Sequence, residues 1–192
     1  MIDPGFDHED EAEKVLGAVR EKGLKVELVI DTHGHPDHTC GNGVVKDATG
    51  ASIVIHELDA DMLGKAGARL AAFFGLRTIS PVADGFLVDG NTVRFGRVGL
   101  RALHTPGHSP GSVCLVGDNC VFSGDTLFAG SVGRVDLPGG SGVELLRSLR
   151  ERLTGLPDGF VVYPGHGPKS TIGEEKRCNP FLQEEFDASL FE

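Results

Sequence analysis

Several things are scarce in this chain of 192 residues, and each scarcity removes a class of explanation. There are only four cysteines, Cys40, Cys114, Cys120 and Cys178, and no CxxC pair. A chain of this length does not need a disulfide framework to hold a core, so reduced thiols are expected. No apolar run approaches the ~18 residues of a membrane span. No basic-then-apolar segment opens the sequence, which makes the cytoplasm the default expectation. Basic residues are outnumbered, 18 Lys and Arg against 28 Asp and Glu, for a net charge of −10. That balance argues against a nucleic-acid partner and against an anionic membrane surface. It leaves room for a small anionic substrate held by a local group of Arg and Lys. The hydrophobic fraction of 40% and charged fraction of 24% are ordinary for a globular protein. The length fits a single domain over residues 1–192 with a proper core. Glycine, by contrast, is plentiful at 28 of 192 residues. Much of it sits in loops beside histidines, as tight turns around a site require.

The densest chemistry lies in Thr32-His33-Gly34-His35-Pro36-Asp37-His38, where three imidazoles and a carboxylate fall within six residues. The stretch follows an apolar run, Val26 to Ile30, with the look of a short buried strand. It therefore belongs at the carboxyl end of a strand, where open α/β sheets place their sites. His33 and His35 are two apart and point to one side of an extended loop. Pro36 biases His35 towards an extended conformation, and Asp37 and His38 enter a first helical turn. Asp37 alone would be a helix cap. Imidazoles and a carboxylate together are ligands for zinc, and also suit iron or manganese. Cys40, just beyond, is either a ligand or nucleophile or, more commonly for such a position, a buried small hydrophobe.

Along the chain, Met1-Ile2-Asp3-Pro4-Gly5 resembles the end of a strand and a turn. A helix is expected over 8–22, with acidic residues in its first turns, an apolar stripe and Gly23 as its stop. A strand at 26–30, a helix at about 38–48 and a strand at 52–56 follow, so the sheet there should be partly parallel. Residues 57–75 are helix-like, with an apolar second half suited to packing or to a lid. From about 82 short strands take over, at 86–88, 92–95, 98–103, 112–116 and 120–122. Asp89-Gly90-Asn91 and Gly117-Asp118-Asn119 are hairpin signals. A helix over 142–153, a strand at 160–163 and a mostly helical tail from Gly173 to Leu190 complete the pattern.

Three later strands also run into Gly/Pro loops that carry donors: His104-Thr105-Pro106-Gly107-His108, Ser123-Gly124-Asp125-Thr126 and Pro164-Gly165-His166-Gly167. Singly, His108 or His166 would be an ordinary loop histidine and Asp125 a turn residue. The recurrence of one arrangement at four strand ends is what points to a shared site.

With those residues in view the chain resembles the metallo-β-lactamase-fold hydrolases, from Ile2 to about Leu182. His33-Gly34-His35-Pro36-Asp37-His38 matches the family's HxHxDH, and His108, Asp125 and His166 match its later ligand positions. The resemblance implies an α/β, αβ/βα sandwich with the site at one edge. It implies His33, His35 and His108 on one metal, Asp37, His38 and His166 on a second, and Asp125 bridging them. The cofactors implied are two divalent metal ions, zinc first, with iron or manganese as alternatives. Asp3 matches a motif that supports the metal loops from behind. Family members carry N-terminal strands before that motif, so the fold is expected here without its first N-terminal strands.

Within the family the chain is most similar to short, single-domain glyoxalase II-like thioesterases. The stretches 104–112, 130–136 and 164–168 carry the likeness, extended by Thr171 to Glu175 and Asn179-Pro180-Phe181. The longer glyoxalase II enzymes have a C-terminal helical domain that is absent here. They carry Lys where this chain has Arg134, and an aromatic where it has Asp136, which weakens the inference of glutathione. The implied reaction is hydrolysis of a small-molecule thioester, with a glutathione thioester as the candidate, by hydroxide generated between the metals and oriented by Asp37. Arg134, Lys169, Lys176 and Arg177 are the cations available to grip a substrate carboxylate, although each is individually an ordinary solvated charge. A similar group, the persulfide dioxygenases, would use one iron on His35, His108 and Asp125. A β-lactam substrate fits the glyoxalase-like stretches less well.

Overall fold

The computed structural model describes residues 1–183 and Phe186, and they form two compact units, Met1–Leu87 and the chain from Val88 onward. Among the described residues no helix is long and apolar enough to cross a membrane.

The first unit opens with an extended segment laid along a strand. Ile30 donates its amide to the Met1 carbonyl (2.9 Å), and Asp3 donates to the Ile30 carbonyl (3.1 Å). Helix α1, Glu9–Glu21, carries Glu9, Asp10 and Glu11 in its first turn and Arg20 in its last, which complements its dipole. Its buried Ala12 and Leu16 face inward, and Gly23 (φ 58°) turns the chain out of it, as expected. Strands β1 (Leu28–Ile30), β2 (Ser52–His56) and β3 (Gly85–Leu87) pair in parallel in the order β1-β2-β3. Between β1 and β2 lie α2, Pro36–Thr39, and α3, Asn42–Thr49, the latter ended by Gly50 at φ 72°. Val29, Val45, Ile53, Ile55 and Leu63 are the centre of this core.

Two expectations need correction here. The helix over 57–75 is instead two 3-10 turns, Glu57–Met62 and Gly64–Gly67, and a short α4, Ala68–Phe73. Gly64 has φ 64°, and a Cβ on Gly67 would overlap the Met62 carbonyl, so an uninterrupted helix cannot run through them. Asp89-Gly90-Asn91 is not a hairpin: β3 pairs with β2, and the next strand pairs with its successor.

The second unit is built on a six-stranded sheet. Its strands are β4 (Thr92–Phe95), β5 (Val98–His104), β6 (Val113–Val116), β7 (Cys120–Gly124), β10 (Val161–Pro164) and β11 (Ser170–Thr171), in the order β11-β10-β7-β6-β5-β4. Only β10 and β7 run parallel. Gly117-Asp118-Asn119 does join β6 to β7 as a hairpin. A small separate hairpin pairs β8 (Leu127–Phe128) with β9 (Ser131–Val132) around Gly130 at φ 69°. Helix α5, Gly142–Ser148, is capped by the Ser141 hydroxyl accepting from the Glu144 amide (3.3 Å), and it continues as a wider turn through Leu149–Leu153. Leu145, Leu149 and Leu153 bury the same face against Cys114, Val121 and Val162. Full burial of one such leucine contributes ~1.5–3 kcal/mol.

Helix α6, Ile172–Cys178, and a 3-10 turn, Pro180–Leu182, are the described part of the expected helical tail; residues 184, 185 and 187–192 lie outside the described residues. Glu175 on α6 is buried, yet its carboxylate is satisfied. One oxygen accepts from the Ser170 hydroxyl, and the other from the Gly130 amide (2.9 Å) and the Asn179 side-chain amide (2.8 Å).

Candidate metal centre

In the first unit the loop after β1 brings His33, His35 and His38 together, all buried. The His33 ring centroid lies 4.8 Å from that of His35 and 4.2 Å from that of His38. His35 has the extended backbone that Pro36 favours (φ −67°, ψ 141°), and Pro36 opens α2. The His35 ring also stacks on Phe74, with centroids 5.9 Å apart. Asp37 is half-buried, with its Oδ2 3.9 Å from His38 Nε2.

Asp3 braces the loop. Its φ of 44° is unusual outside glycine, though Asp tolerates it better than most residues. From there one oxygen accepts from the Thr32 amide (2.7 Å), and the other faces both the Thr32 hydroxyl (2.7 Å) and His38 Nδ1 (3.1 Å). The Thr32 hydroxyl also lies 3.1 Å from His33 Nδ1. An ionised carboxylate only accepts, so the Thr32 proton goes to Asp3 and the Thr32 oxygen accepts from His33. Both Nδ1 atoms then carry their ring's proton, which makes Nε2 the basic nitrogen of His33 and of His38. This is the tautomer that metal-ligating histidines are held in by their outer partners.

Glycines let the surrounding backbone close in. A Cβ on Gly5 would overlap the Asp37 carbonyl, and one on Gly34 would come within 2.6 Å of Met62 Cβ. The Gly34 amide donates to the Asp59 carboxylate (2.9 Å). Beneath the loop, Asp31 is fully buried and accepts from the Asn42 amide (2.8 Å); burial pushes its pKa well above the usual carboxylate range. Asp31, Thr32 and Asp59 are supports that the sequence did not single out as such. Cys40 is buried, and burial raises its thiol pKa to about 11, so it is a small hydrophobe and no nucleophile at neutral pH.

In the second unit β5 leads to His108, β7 ends directly before Asp125, and β10 leads to His166. His108 Nδ1 lies 2.7 Å from the Arg134 carbonyl, which only accepts, so this ring too has its basic nitrogen at Nε2. That Nε2 faces Asp125 Oδ2 at 3.5 Å, and His166 Nε2 faces the same oxygen at 3.6 Å. A lone pair pointing at a carboxylate oxygen is repulsive unless a cation or a proton lies between. Metal–ligand bonds of ~2.0–2.2 Å at a tetrahedral angle set two donor atoms about 3.4 Å apart. The donor set and its spacing therefore fit a metal. Gly133 lies against this cluster: a Cβ there would overlap the Asp125 carbonyl and approach His108 Nδ1 to 3.1 Å.

The cations proposed for substrate are placed differently from one another. Arg134 is exposed, and its Nε and Nη2 donate to the two oxygens of Asp136, each at 2.6 Å. Lys176 pairs with Asp158 (2.7 Å). Arg177 and Lys169 are exposed. The Arg134–Asp136 pairing had a signal, since residues two apart on an extended stretch share a side.

The family model of the metallo-beta-lactamase superfamily matches residues 1–166. A relative in Haemophilus influenzae, named hydroxyacylglutathione hydrolase GloC, is 35% identical over 190 residues, covering 95% of this chain and 86% of that protein. Among solved structures, the B3 metallo-beta-lactamase BLEG-1 superposes with a TM-score of 0.85 at 34% identity, over 94% of this chain and 87% of that one. TTHA1623 in a di-iron-bound form gives 0.83 at 39% identity, over 94% and 88%. ETHE1 from Myxococcus xanthus gives 0.77 at 32% identity, over 93% and 71%.

Proposed function

The chain belongs to the metallo-beta-lactamase superfamily and has its fold, and from that membership we propose that it is a thioester hydrolase working with two divalent cations. The broader statement, a metal-dependent hydrolase of this superfamily, follows from the family match and from the hydrolases among its relatives. The proposal treats residues 1–192 as one functional domain, acting in the cytoplasm on a small molecule. It assigns His33, His35 and His108 to one cation, Asp37, His38 and His166 to the other, and Asp125 to both. Zinc is the first choice; the di-iron form of TTHA1623 keeps iron in view.

The observation that carries the reading is the contact that the Nδ1 atoms make. Three of these rings, His33, His38 and His108, commit Nδ1 to an acceptor supplied by the fold. Any buried imidazole must place its N–H on an acceptor; here all three rings place Nδ1 there, which leaves Nε2 as the basic nitrogen of each, the orientation that outer partners give a metal ligand. Two bound cations would supply Lewis acidity, bringing the pKa of water from about 15.7 towards about 7. The remaining work belongs to side chains of this chain. The Asp37 carboxylate would accept a hydrogen bond from the attacking hydroxide and so aim the hydroxide oxygen at the thioester carbonyl. The C–O bond forms, the C–S bond breaks, and the sulfur leaves as a thiolate stable enough to need no acid from the protein. A hydroxyacylglutathione is the substrate class in the name of the GloC relative, and S-lactoylglutathione is the member proposed for this chain.

A second reading, a mononuclear iron oxygenase of the persulfide dioxygenase type on His35, His108 and Asp125, is favoured by the likeness to ETHE1. The test is hydrolysis of S-D-lactoylglutathione, followed by loss of thioester absorbance, beside oxygen uptake with glutathione persulfide. Metal content is measured on protein purified without added zinc. Thioester cleavage with close to two metal equivalents supports the hydrolase. Oxygen uptake without cleavage, on one iron, transfers the assignment to the second reading.

A further inference from the structure

Arg134 leaves the chain from the wall of the second donor cluster. Its neighbour Gly133 lies against the Asp125 carbonyl, and its own carbonyl accepts the His108 proton. The guanidinium is spanned by Asp136 through two parallel hydrogen bonds of 2.6 Å each. That fork is the arrangement a substrate carboxylate would need, and a carboxylate of the chain already holds it. Both side chains are open to solvent, at 57% and 65% exposure, so an incoming ligand can reach the pair. The hydrogen bonds from Arg134 hold the Asp136 carboxyl at about 2, so it is ionised throughout the neutral range. The position where a ligand carboxylate would dock therefore has no net charge to offer. Exposed pairs are weak, and one carboxylate can exchange for another there.

We infer that Asp136 is a specificity determinant: it competes with a substrate carboxylate for Arg134 and shifts preference towards thioesters whose thiol portion carries no carboxylate. The substrate half of this statement rests on the hydrolase reading; the competition at Arg134 does not.

The test compares S-D-lactoylglutathione with the S-lactoyl thioester of N-acetylcysteamine, which lacks a carboxylate on the thiol side. Asp136→Asn should lower KM for the glutathione thioester relative to the other by about two- to fivefold, the range of an exposed ion pair. Asp136→Glu, able to re-form the pair, should stay near the parent ratio. In an Arg134→Ala background Asp136→Asn should leave the ratio where Arg134→Ala set it. A ratio that does not move, or that moves equally without Arg134, overturns the inference. Calorimetric titration with S-methylglutathione gives a readout independent of turnover, and Asp136→Asn should tighten it by the same about two- to fivefold. If the metal-loaded protein cleaves neither thioester, the hydrolase reading fails and the titration alone decides. Unchanged affinity in the titration overturns the competition.

Discussion

The two units present their donors in opposite styles. In the first, His33, His35, Asp37 and His38 come from one continuous stretch, the loop after β1 and the start of α2, and the three imidazoles are buried. In the second, His108, Asp125 and His166 come from three separate strand ends, and the His166 side chain is 54% exposed. The bracing differs as well. The first loop is held by side chains, Asp3 and Thr32, with Asp3 kept at a disfavoured φ of 44°. The second cluster is held by backbone: the Arg134 carbonyl on His108, and Gly133 pressed against Asp125. Both clusters need glycines for close approach, but the compact motif adds a few replaceable side chains, whereas the dispersed one depends on strand register and a backbone acceptor.

The comparison breaks or sharpens under five experiments. The largest effect is expected from His35→Ala, which should abolish turnover and take metal content well below the two equivalents expected of the parent. Asp125→Asn should lower occupancy and activity together, because its oxygen faces two imidazoles. Should elemental analysis of His35→Ala still return both equivalents, His35 is no ligand and the first unit's role shrinks. Next comes Asp3→Ala. Losing the acceptor behind His38 and Thr32 should weaken metal binding by about 10–100-fold, the usual penalty for an outer-shell partner. A competitive chelator titration measures it, and a change under about twofold would mean the loop holds itself.

Gly133→Ala tests the backbone style. Its methyl has no room beside the Asp125 carbonyl, so overpacking should cost about 1–3 kcal/mol in urea denaturation. The smallest effect concerns the thiols. Burial puts Cys40 and Cys114 at about 11, so at pH 8 the native protein exposes about one thiolate per thousand at each. Raising the pH towards 11 increases that fraction. Iodoacetamide at pH 8 should label exposed Cys178 and spare Cys40 and Cys114 until the protein is unfolded, as peptide mapping would show.

Legibility in the sequence follows the same division. The first loop could be read directly, because its donors are contiguous and Pro36 announces the backbone of His35. The second cluster was legible only as a repeated pattern of strand, turn and donor. What supports it was not: a carbonyl acceptor such as that of Arg134 has no residue signature, and β8 and β9, two residues each, are too short for alternation to show. The helix expected over 57–75 failed because two glycines outweigh an apolar stripe. Asp89-Gly90-Asn91 misled because a turn signal states that the chain bends and not which strands it joins.

The carboxylate of Glu175 has a dynamic consequence. Gly130 sits exposed at the tip of a two-strand hairpin, where an amide would ordinarily trade its hydrogen for deuterium quickly. Its N–H is instead donated to Glu175, which Ser170 and Asn179 also hold. Exchange at that one amide therefore requires its bond to the α6 carboxylate to break, whether α6 or the hairpin tip moves away. It makes Gly130 a built-in reporter on the contact between this hairpin and α6, readable by hydrogen exchange.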